Sequence, residues 1–274
     1  MMRYIRGTAC LGQPSNRVDR SVLKRQVIAS GPNNLVDSIS YKRRLTMLTS
    51  SQLEAIQQFD TCTIANAIEQ FRVRLRNEGF THPGLHCVTK GDARVLGYAA
   101  TSKVRSANPP MTGALYLDRT DWWTNIDSLP VPRIAVIQDF DPVPGSGACV
   151  GEVHAAIMKA LNCIGVITNG AVRDLPAVSD LGFPMFAPSV AVSHAYMHSI
   201  DYGQPVEIFG LRIRAGDLLY ADCHGVVSIP LEIAAELPEA AARIRSKEQR
   251  IVRVCLSPGF STEKLLNEIR SDQQ

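Results

Sequence analysis

The stretch between Gly151 and Asp174 holds the residues of this chain that are best suited to chemistry. Gly151 and Glu152 open a predicted helix, and Arg173 and Asp174 follow a short apolar strand and an Asn-Gly turn. A helix N-terminus binds anions through its unpaired N–H groups and its dipole. An arginine binds oxyanions, and an aspartate binds hard cations. This combination suits a small carboxylate substrate chelated to a divalent metal.

The elements that flank this stretch predict a strand–helix–strand unit. Residues 133–138 are predicted as a buried strand, residues 139–150 as a loop rich in glycine and proline, and residues 166–168 as a second strand. Gly165 is predicted to close the exit of the helix between them. A crossover of this kind is expected to be right-handed. The unit would gather the acidic group and the N–H groups of the helix at one end, with the arginine and aspartate at an end of the next strand.

Composition excludes several other classes of protein. The chain has 274 residues, enough for one large domain or two small ones. No apolar run reaches the length of a membrane span, so no membrane partner is expected. The seven cysteines are odd in number, scattered and without a C-x-x-C pair, which favours reduced thiols over disulfides or a zinc site. A cytoplasmic location is therefore expected.

The positive charge of the chain is concentrated at its N-terminus. Residues 1–44 contain nine Lys or Arg residues and two Asp or Glu residues. Since the whole chain carries +3, the remaining residues carry −4, which argues against nucleic-acid binding by the folded part. Residues 1–46 are predicted to be a basic, disordered extension, or else to reflect a mis-assigned start with Met47 as the true first residue. Residues 47–256 are expected to form one domain, and residues 257–274 a C-terminal tail.

Several sequence blocks resemble one known family. They are Gly-Glu-x-x-Ala from Gly151, Gly-Val-Ile-x-x-Gly-Ala-Val-Arg-Asp ending at Asp174, Leu-Gly-Phe-Pro-x-Phe-Ala from Leu181, and the block Gly216–Pro230. From about Leu48 to Arg253 the chain is similar to the RraA-like family. That family includes the class II 4-hydroxy-4-methyl-2-oxoglutarate and 4-carboxy-4-hydroxy-2-oxoadipate aldolases and the regulator of ribonuclease activity A. The resemblance implies an α/β fold, a single three-layer β/β/α swivelling-type domain with a long C-terminal helix.

The resemblance implies a metal site at the end of the stretch. Asp174 would bind Mg²⁺ or Mn²⁺ directly, and Arg173 would contact the keto or carboxylate oxygen of a 2-oxo acid substrate. From the residues alone, Asp174 also fits the N-cap of a helix that begins at Leu175, with Arg173 as a surface ion-pair partner. One carboxylate can serve as cap and ligand at once, because it has two oxygens.

The resemblance also implies a substrate site at the start of the stretch. Gly151, Glu152, Val153 and His154 would bind the substrate carboxylate through their backbone N–H groups. Glu152 would in addition be a catalytic acid that holds metal-bound water. The alternative for Glu152 is stabilisation of the helix dipole, which contributes about 0.3–1 kcal/mol. His154 stands where the family usually has an apolar residue, so it either alters specificity or points away from the site.

These roles predict a divalent-metal-dependent lyase, a class II aldolase. It would cleave a 4-hydroxy-2-oxo acid by a retro-aldol reaction that releases pyruvate, with oxaloacetate decarboxylation as a side activity. The family's aldolases take an acid from a neighbouring subunit, for which Glu248 is the candidate in this chain, so a homotrimer or homohexamer is expected. The alternative is a non-catalytic regulatory binding protein of the ribonuclease-inhibitor type.

Two other groups of residues have the types needed for chemistry, but structural roles are favoured for them. His194 and His198 stand four apart, a spacing that chelates metal on a helix, yet core or surface histidines are the commoner case. Asp222-Cys223-His224 suggests a Cys–His pair. Because neighbours on a strand face opposite ways, Cys223 is not expected to be catalytic, and Asp222 is expected to shape a turn.

Overall fold

The structure is a computed structural model, and it describes residues 47–89, 92–111 and 120–271. Its helices in these ranges are α1 (Ser50–Gln57), α2 (Thr61–Gln70), α3 (Thr120–Asp127), α4 (Glu152–Ala160), α5 (Leu175–Asp180), α6 (Leu237–Cys255) and α7 (Thr262–Ser271). Its strands are β1 (His86–Cys87), β2 (Val95–Arg105), β3 (Arg133–Asp139), β4 (Ala148–Val150), β5 (Cys163–Thr168), β6 (Ala171–Val172), β7 (Met185–Ala187), β8 (Ser189–Val190), β9 (His198–Tyr202), β10 (Val206–Ile208), β11 (Leu211–Ile213), β12 (Leu218–Asp222) and β13 (Gly225–Ile229). The predicted extension, residues 1–46, lies outside the described residues.

Eight strands form the main sheet. Their order is β1-β7-β5-β3-β2-β12-β13, and β9 also pairs with β2. The pairs β2–β3, β3–β5 and β5–β7 are parallel, whereas β12 and β13 join antiparallel at one end of the sheet. β3 is buried over nearly its whole length and apolar from Ile134 to Ile137, as expected for a parallel strand covered on both faces.

Different layers cover the two faces of the main sheet. Along β2, Leu96 and Tyr98 pack with α1, α2 and α6. Val95 and Ala99 point to the opposite face and pack with the β10–β11 hairpin. α3, α4 and α5 lie in the cluster that covers the neighbouring parallel strands. The predicted α/β fold with β/β/α layers and a long C-terminal helix is therefore confirmed, while the domain boundaries at 47, 256 and 257 stay a prediction.

The predicted exit of α4 was wrong. The helix ends at Ala160, and Gly165 lies inside β5 rather than at the helix end. The chain instead reverses at Asn162, which has a φ of 58°. Asparagine tolerates this left-handed conformation better than most residues, because its short polar side chain bonds locally. The predicted strand beyond the helix is correct but begins earlier, at Cys163.

Asp222 joins α2 to the β12–β13 hairpin, which confirms its predicted turn role. It is 3% exposed. Its Oδ2 accepts a hydrogen bond from the Thr61 amide at 2.8 Å, and its Oδ1 accepts one from the Thr61 hydroxyl at 2.7 Å. The His224 amide donates to Oδ1 at 2.9 Å. One buried carboxylate thus fixes the start of a helix to a turn 161 residues away.

Asp222→Ala is expected to lower the free energy of unfolding at neutral pH by about 3 kcal/mol, because buried donors lose a charged acceptor. Burial opposes ionisation of Asp222, but hydrogen bonds from Thr61 and His224 outweigh it and hold its pKa below 3.8. A lowered native pKa adds stability above the unfolded pKa, and that stability is lost as the pH falls through the native pKa. Urea unfolding at neutral and strongly acidic pH, with the surface variant Asp180→Ala as control, should show the deficit at neutral pH alone. A deficit that does not change with pH would contradict this role.

None of the helices in the described ranges has the length and apolar content that crossing a bilayer requires.

Candidate active site

A small parallel sheet brings the two ends of the chemical stretch together. β4 pairs with β6, which pairs in turn with β8. Val150, the last residue of β4, stands opposite Val172, the last residue of β6. The Arg173 amide then donates to the Val150 carbonyl at 2.9 Å. The residues after the two strands, Gly151 and Arg173, are therefore neighbours, and the start of α4 meets the start of α5.

The Asp174 carboxylate lies between the N-terminus of α4 and the Arg173 guanidinium. Its Oδ2 accepts a hydrogen bond from the Glu152 amide at 3.1 Å and lies 3.5 Å from Arg173 Nε. Asp174 occupies the N-cap position of α5, but its side chain makes no cap hydrogen bond there. The interpretation of its side chain as the cap of its own helix was therefore wrong. It accepts from the first amide of α4 instead.

The backbone at Asp174 is left-handed, with a φ of 58°. Aspartate is one of the few residues with a side chain that visit this region routinely. This conformation accompanies the turn of the Asp174 carboxylate away from α5 and toward Glu152. Backbone strain of this kind clusters at functional sites.

Gly151 is required by the closeness of these groups. A Cβ atom at this position would lie 2.4 Å from Asp174 Oδ2 and 3.0 Å from Arg173 Nε. Its backbone is extended, with a φ of −134°, which any residue adopts. The requirement for glycine is therefore steric: only a residue without a side chain lets the carboxylate reach the helix end.

The first turn of α4 faces this carboxylate. The first N–H groups of a helix have no acceptor within the helix; that of Glu152 is bonded by Asp174, and those of Val153 and His154 follow at the same end. The Glu152 side chain is exposed, and that of Val153 is 65% exposed. His154 is only 6% exposed, so its ring is mostly covered by protein.

Hydrogen bonds of Asp139 and Asn169 hold the loop that leads into β4, and the sequence analysis did not predict them. Asn169 accepts from the Asp139 amide at 2.7 Å and donates to the Asp139 carbonyl at 3.0 Å. The Asp139 carboxylate accepts from the amides of Gly145 and Asp141. Burial raises the pKa of Asp139 despite these bonds. The ends of β3 and β5 are thus bonded to each other and to the loop before the site. No sequence motif predicts the contact between Asp139 and Asn169.

The six predicted site residues are brought together in one cleft. It has a volume of about 20 Å³. Its lining comprises Ala148, Cys149, Gly151, Glu152, Val153, His154, Arg173, Asp174 and His194. The cleft is far smaller than the roughly 300–1,000 Å³ typical of enclosed ligand pockets. A larger cavity of about 330 Å³ lies elsewhere and includes Cys62 and His224 in its wall. The small cleft is the one that carries the predicted chemistry.

The oxygen donors of the cleft fit a hard divalent cation. The Asp174 side chain is 40% exposed, so one carboxylate edge faces solvent beside the exposed Glu152. Mg²⁺ is commonly held by one or two carboxylates and keeps several waters. In the described part of the chain, the group of three close ligand atoms lies elsewhere, at Asp222, Cys223 and His224. A cation at Asp174 would therefore depend on water and substrate for its other ligands.

The histidines four apart do not form a helical chelate. His194 lies in a loop, and His198 begins β9. Each ring pairs its Nδ1 with a nearby backbone carbonyl, of Ala195 and Tyr196 respectively, at 2.7 Å. The helical premise of that alternative was wrong. His194 nevertheless lines the cleft.

Comparison with known proteins identifies the family to which the chain is similar. The family model described as "RraA-like: Aldolase/RraA" matches residues 61–228. The chain is 32% identical over 149 residues to a protein of Halalkalibacterium halodurans named "Putative 4-hydroxy-4-methyl-2-oxoglutarate aldolase", a match that covers 53% of this chain and 71% of that one. A match at 28% identity over 141 residues to Protein DlpA of Legionella pneumophila covers 51% of this chain but only 22% of that longer protein.

A solved structure supports the fold. The Streptomyces coelicolor protein RraAS2, described as an unusual member of the RNase ES inhibitor RraA protein family, superposes with a TM-score of 0.59. The superposition covers 74% of this chain and 96% of that one at 20% sequence identity, so it concerns architecture alone. The family match over more than half of the chain, together with this shared architecture, shows that the chain belongs to the RraA-like family, which includes both aldolases and RraA regulators.

Proposed function

We propose that the protein is a divalent-metal-dependent lyase that cleaves a 4-hydroxy-2-oxo acid by a retro-aldol reaction and releases pyruvate. The observation that carries the proposal is the position of Asp174 Oδ2, which lies between the first amide of α4 and the Arg173 guanidinium. A hard-cation ligand, an anion-binding helix end and an oxyanion-binding arginine thus share one cleft. A 2-oxo acid presents a carboxylate and a keto oxygen to such a set of groups.

The substrate carboxylate is bound at the start of α4 in this proposal. The N–H groups of Val153 and His154 supply donors, and the helix dipole adds favourable charge. Arg173, whose side chain is 34% exposed, donates to the keto oxygen. Its guanidinium stabilises the negative charge that develops on that oxygen as the carbon–carbon bond breaks.

The cleavage step balances without an oxidant or reductant. The C4 hydroxyl loses its proton, the C3–C4 bond breaks, and its electron pair passes into the enolate of pyruvate. A proton is then returned to C3. Glu152, exposed in the first turn of α4, would hold the water that exchanges these protons. Decarboxylation of oxaloacetate gives the same enolate and is the expected side activity.

Asp174, with Glu152 beside it, would hold the cation, Mg²⁺ or Mn²⁺. When bound, the cation supplies Lewis-acid stabilisation of the same developing negative charge. Two observations fit this assignment: the ligating atoms are oxygens, and Gly151 leaves the space that a Cβ would otherwise fill.

The alternative is a regulatory binding protein without a reaction of its own, since the family contains both kinds of member. Thermal unfolding with Mn²⁺ and oxalate, a planar dianion that resembles the enolate, distinguishes the two. The lyase proposal predicts that Mn²⁺ and oxalate together raise the midpoint more than the sum of their separate effects; at a hundred times the dissociation constant the gain is about 2.7 kcal/mol. A regulator would show no joint effect and no pyruvate release.

We further propose that a second copy of the chain completes the cleft, in a homotrimer or homohexamer. A cleft of about 20 Å³ is too small to enclose a six-carbon dicarboxylate. Apolar side chains are exposed in the segment around the cleft residue His194, with Val190 at 58%, Val192 at 97% and Ile200 at 43%. Clustered exposed apolar residues mark interaction surfaces. Glu248, exposed on α6, is the candidate acid that a neighbouring subunit would contribute.

Val192→Asp is expected to dissociate this oligomer and to abolish pyruvate release, because a charge would be buried without a partner. Sedimentation velocity measures the mass, and Val131→Asp, at a valine that is 52% exposed outside the segment, is the matched control. An oligomer that keeps its mass in Val192→Asp would contradict this contact surface.

We also propose a cytoplasmic location, since the six cysteines in the described ranges are free thiols.

A further inference from the structure

The cavity of about 330 Å³ lies between α2 and β13 and shares no lining residue with the cleft at Asp174. Its wall is formed by one side of α2, by residues of the segment 74–81 and by the start of β13 with the preceding His224. Its volume lies within the roughly 300–1,000 Å³ that is typical of pockets for small ligands. A molecule bound there would therefore be distinct from the substrate of the proposed lyase.

Hydrogen bonds to β13 hold the segment 74–81 in place. Phe80 pairs with Val227 in an antiparallel bridge. The Thr81 amide donates to the Val226 carbonyl at 2.9 Å, and the Val226 amide donates to the Thr81 hydroxyl at 3.1 Å. This wall is therefore formed before any ligand binds, as is usual for small-molecule sites.

Arg74 has a defined position in the same wall. Its Nη1 donates to the Ser228 carbonyl at 2.7 Å. The guanidinium lies against Gly79, where a Cβ atom would overlap it. Gly79 also has a φ of 83°, a conformation that glycine adopts without steric cost. Glycine thus permits the turn and leaves the space that the arginine occupies.

The acidic groups of the wall leave Arg74 without a carboxylate in contact. Glu69 Oε2 is paired with Arg76 Nε at 3.2 Å, and the exposed Glu78 accepts from the Leu75 amide at 3.3 Å. Arg74 takes part in none of the ion pairs between described residues. Burial lowers the pKa of Arg74 and the charge of Glu78 raises it, but an arginine in a protein stays protonated. Its charge is therefore available to an anion.

Apolar side chains also line the cavity. Ile68, Val226 and Val227 are each 2% exposed and belong to the core. Leu75 and Phe80 are 66% and 38% exposed in the wall, although covering large apolar side chains is favourable. An apolar ligand in the cavity would cover part of their surface.

We propose that this cavity binds a small monocarboxylate with an apolar body, either aryl or branched alkyl. The carboxylate pairs with the Arg74 guanidinium, and the body packs against Ile68, Leu75 and Phe80. A dianion such as a phosphate monoester is disfavoured, because Glu69 and Glu78 lie in the same wall. Since a water molecule takes about 30 Å³ of liquid volume, a cavity of about 330 Å³ has room for about ten non-hydrogen atoms.

Isothermal titration calorimetry of the full-length protein with phenylacetate tests the proposal. We expect one site per chain with a Kd of about 1 mM or tighter. Acetate, which lacks the apolar body, and phenylacetamide, which lacks the charge, should each bind at least about tenfold more weakly. Absence of saturable phenylacetate binding, or equal affinity for phenylacetamide, would overturn the proposal.

Three variants locate the bound molecule. Arg74→Gln removes the charge, and Ala65→Leu fills the cavity from α2 with a residue that favours helix; each should weaken phenylacetate binding at least about tenfold. Ala65→Leu keeps the test valid if Arg74→Gln does not fold, which far-UV circular dichroism reports. Arg173→Gln is the matched control and should leave the affinity unchanged. Loss of binding in Arg173→Gln alone would place the ligand in the cleft at Asp174, which would overturn this proposal and leave the lyase proposal intact.

Thiol modification gives a location test that needs no substitution. Cys62 is exposed and lines the cavity, whereas Cys255 is exposed outside it. At about ten times its Kd, phenylacetate should slow the reaction of Cys62 with N-ethylmaleimide about tenfold and leave Cys255 unaffected, as measured by peptide mass spectrometry. An unchanged rate at Cys62 under saturating phenylacetate would contradict binding in this cavity.

Discussion

Replacement of Asp174 by asparagine is expected to remove metal-dependent pyruvate release, with kcat/KM falling at least about 10³-fold. Asparagine tolerates the left-handed backbone at this position. It also keeps a side-chain oxygen that can accept the hydrogen bond from the Glu152 amide, which in the wild type donates to Asp174 Oδ2 at 3.1 Å. The fold should therefore survive. What is lost is the negative charge that would bind the cation and pair with Arg173, whose Nε lies 3.5 Å away.

The control for this variant is Asp180→Asn. Asp180 ends α5 and is exposed, so it has the same chemistry on the same helix without a place in the cleft. Mn²⁺ binding, followed by electron paramagnetic resonance, should weaken in Asp174→Asn and stay unchanged in the control. Full turnover in Asp174→Asn would contradict the role of Asp174 as the metal ligand.

The second large effect is expected from Gly151→Ala. The added methyl would meet Asp174 Oδ2 at 2.4 Å and Arg173 Nε at 3.0 Å, so the Asp174 carboxylate must move by about 1 Å and the Arg173 side chain by a few tenths of an ångström. A displacement of that size costs about 10²-fold in rate when it misplaces reacting groups. Alanine adopts the extended backbone of this residue without strain, so the free energy of unfolding should change little.

Gly259→Ala is the matched control for the steric argument. The nearest atom to a Cβ there is Lys264 Nζ at 3.0 Å, the end of a flexible side chain, which can move aside. Activity assays combined with thermal unfolding separate the two possible defects. A Gly151→Ala variant with unchanged kcat/KM would mean that the closeness of Asp174 to the helix end is not needed for the reaction.

The position of the candidate site could be predicted because its residues are marked by local sequence. A glycine and an acid at a helix start, and an Arg-Asp pair after a strand and a turn, are signals that operate over a few residues. The family resemblance then implied that these two segments form one site, although their contacting residues are 22 positions apart. The three-layer fold could be predicted because the family that these motifs resemble has that fold.

What the sequence could not provide is the pairing of very short strands and the direction of side chains. β4 and β6 have three and two residues, too few for a periodic pattern, yet their register is what places Gly151 beside Arg173. Asp174 fits an N-cap by position, but its left-handed backbone accompanies a carboxylate bonded to the neighbouring helix. The hydrogen bond between Thr61 and Asp222 likewise joins segments that are 161 residues apart, so no local pattern predicts it.

Pyruvate release from 4-hydroxy-4-methyl-2-oxoglutarate tests the central claim most directly. The initial rate of the wild-type protein is measured with Mg²⁺, after addition of EDTA, and again after excess Mg²⁺ is restored. The proposed lyase predicts turnover that disappears with the chelator and returns with the metal, and the same pattern with oxaloacetate. Absence of pyruvate from both compounds in the presence of Mg²⁺ or Mn²⁺ would contradict it and favour the regulatory binding protein.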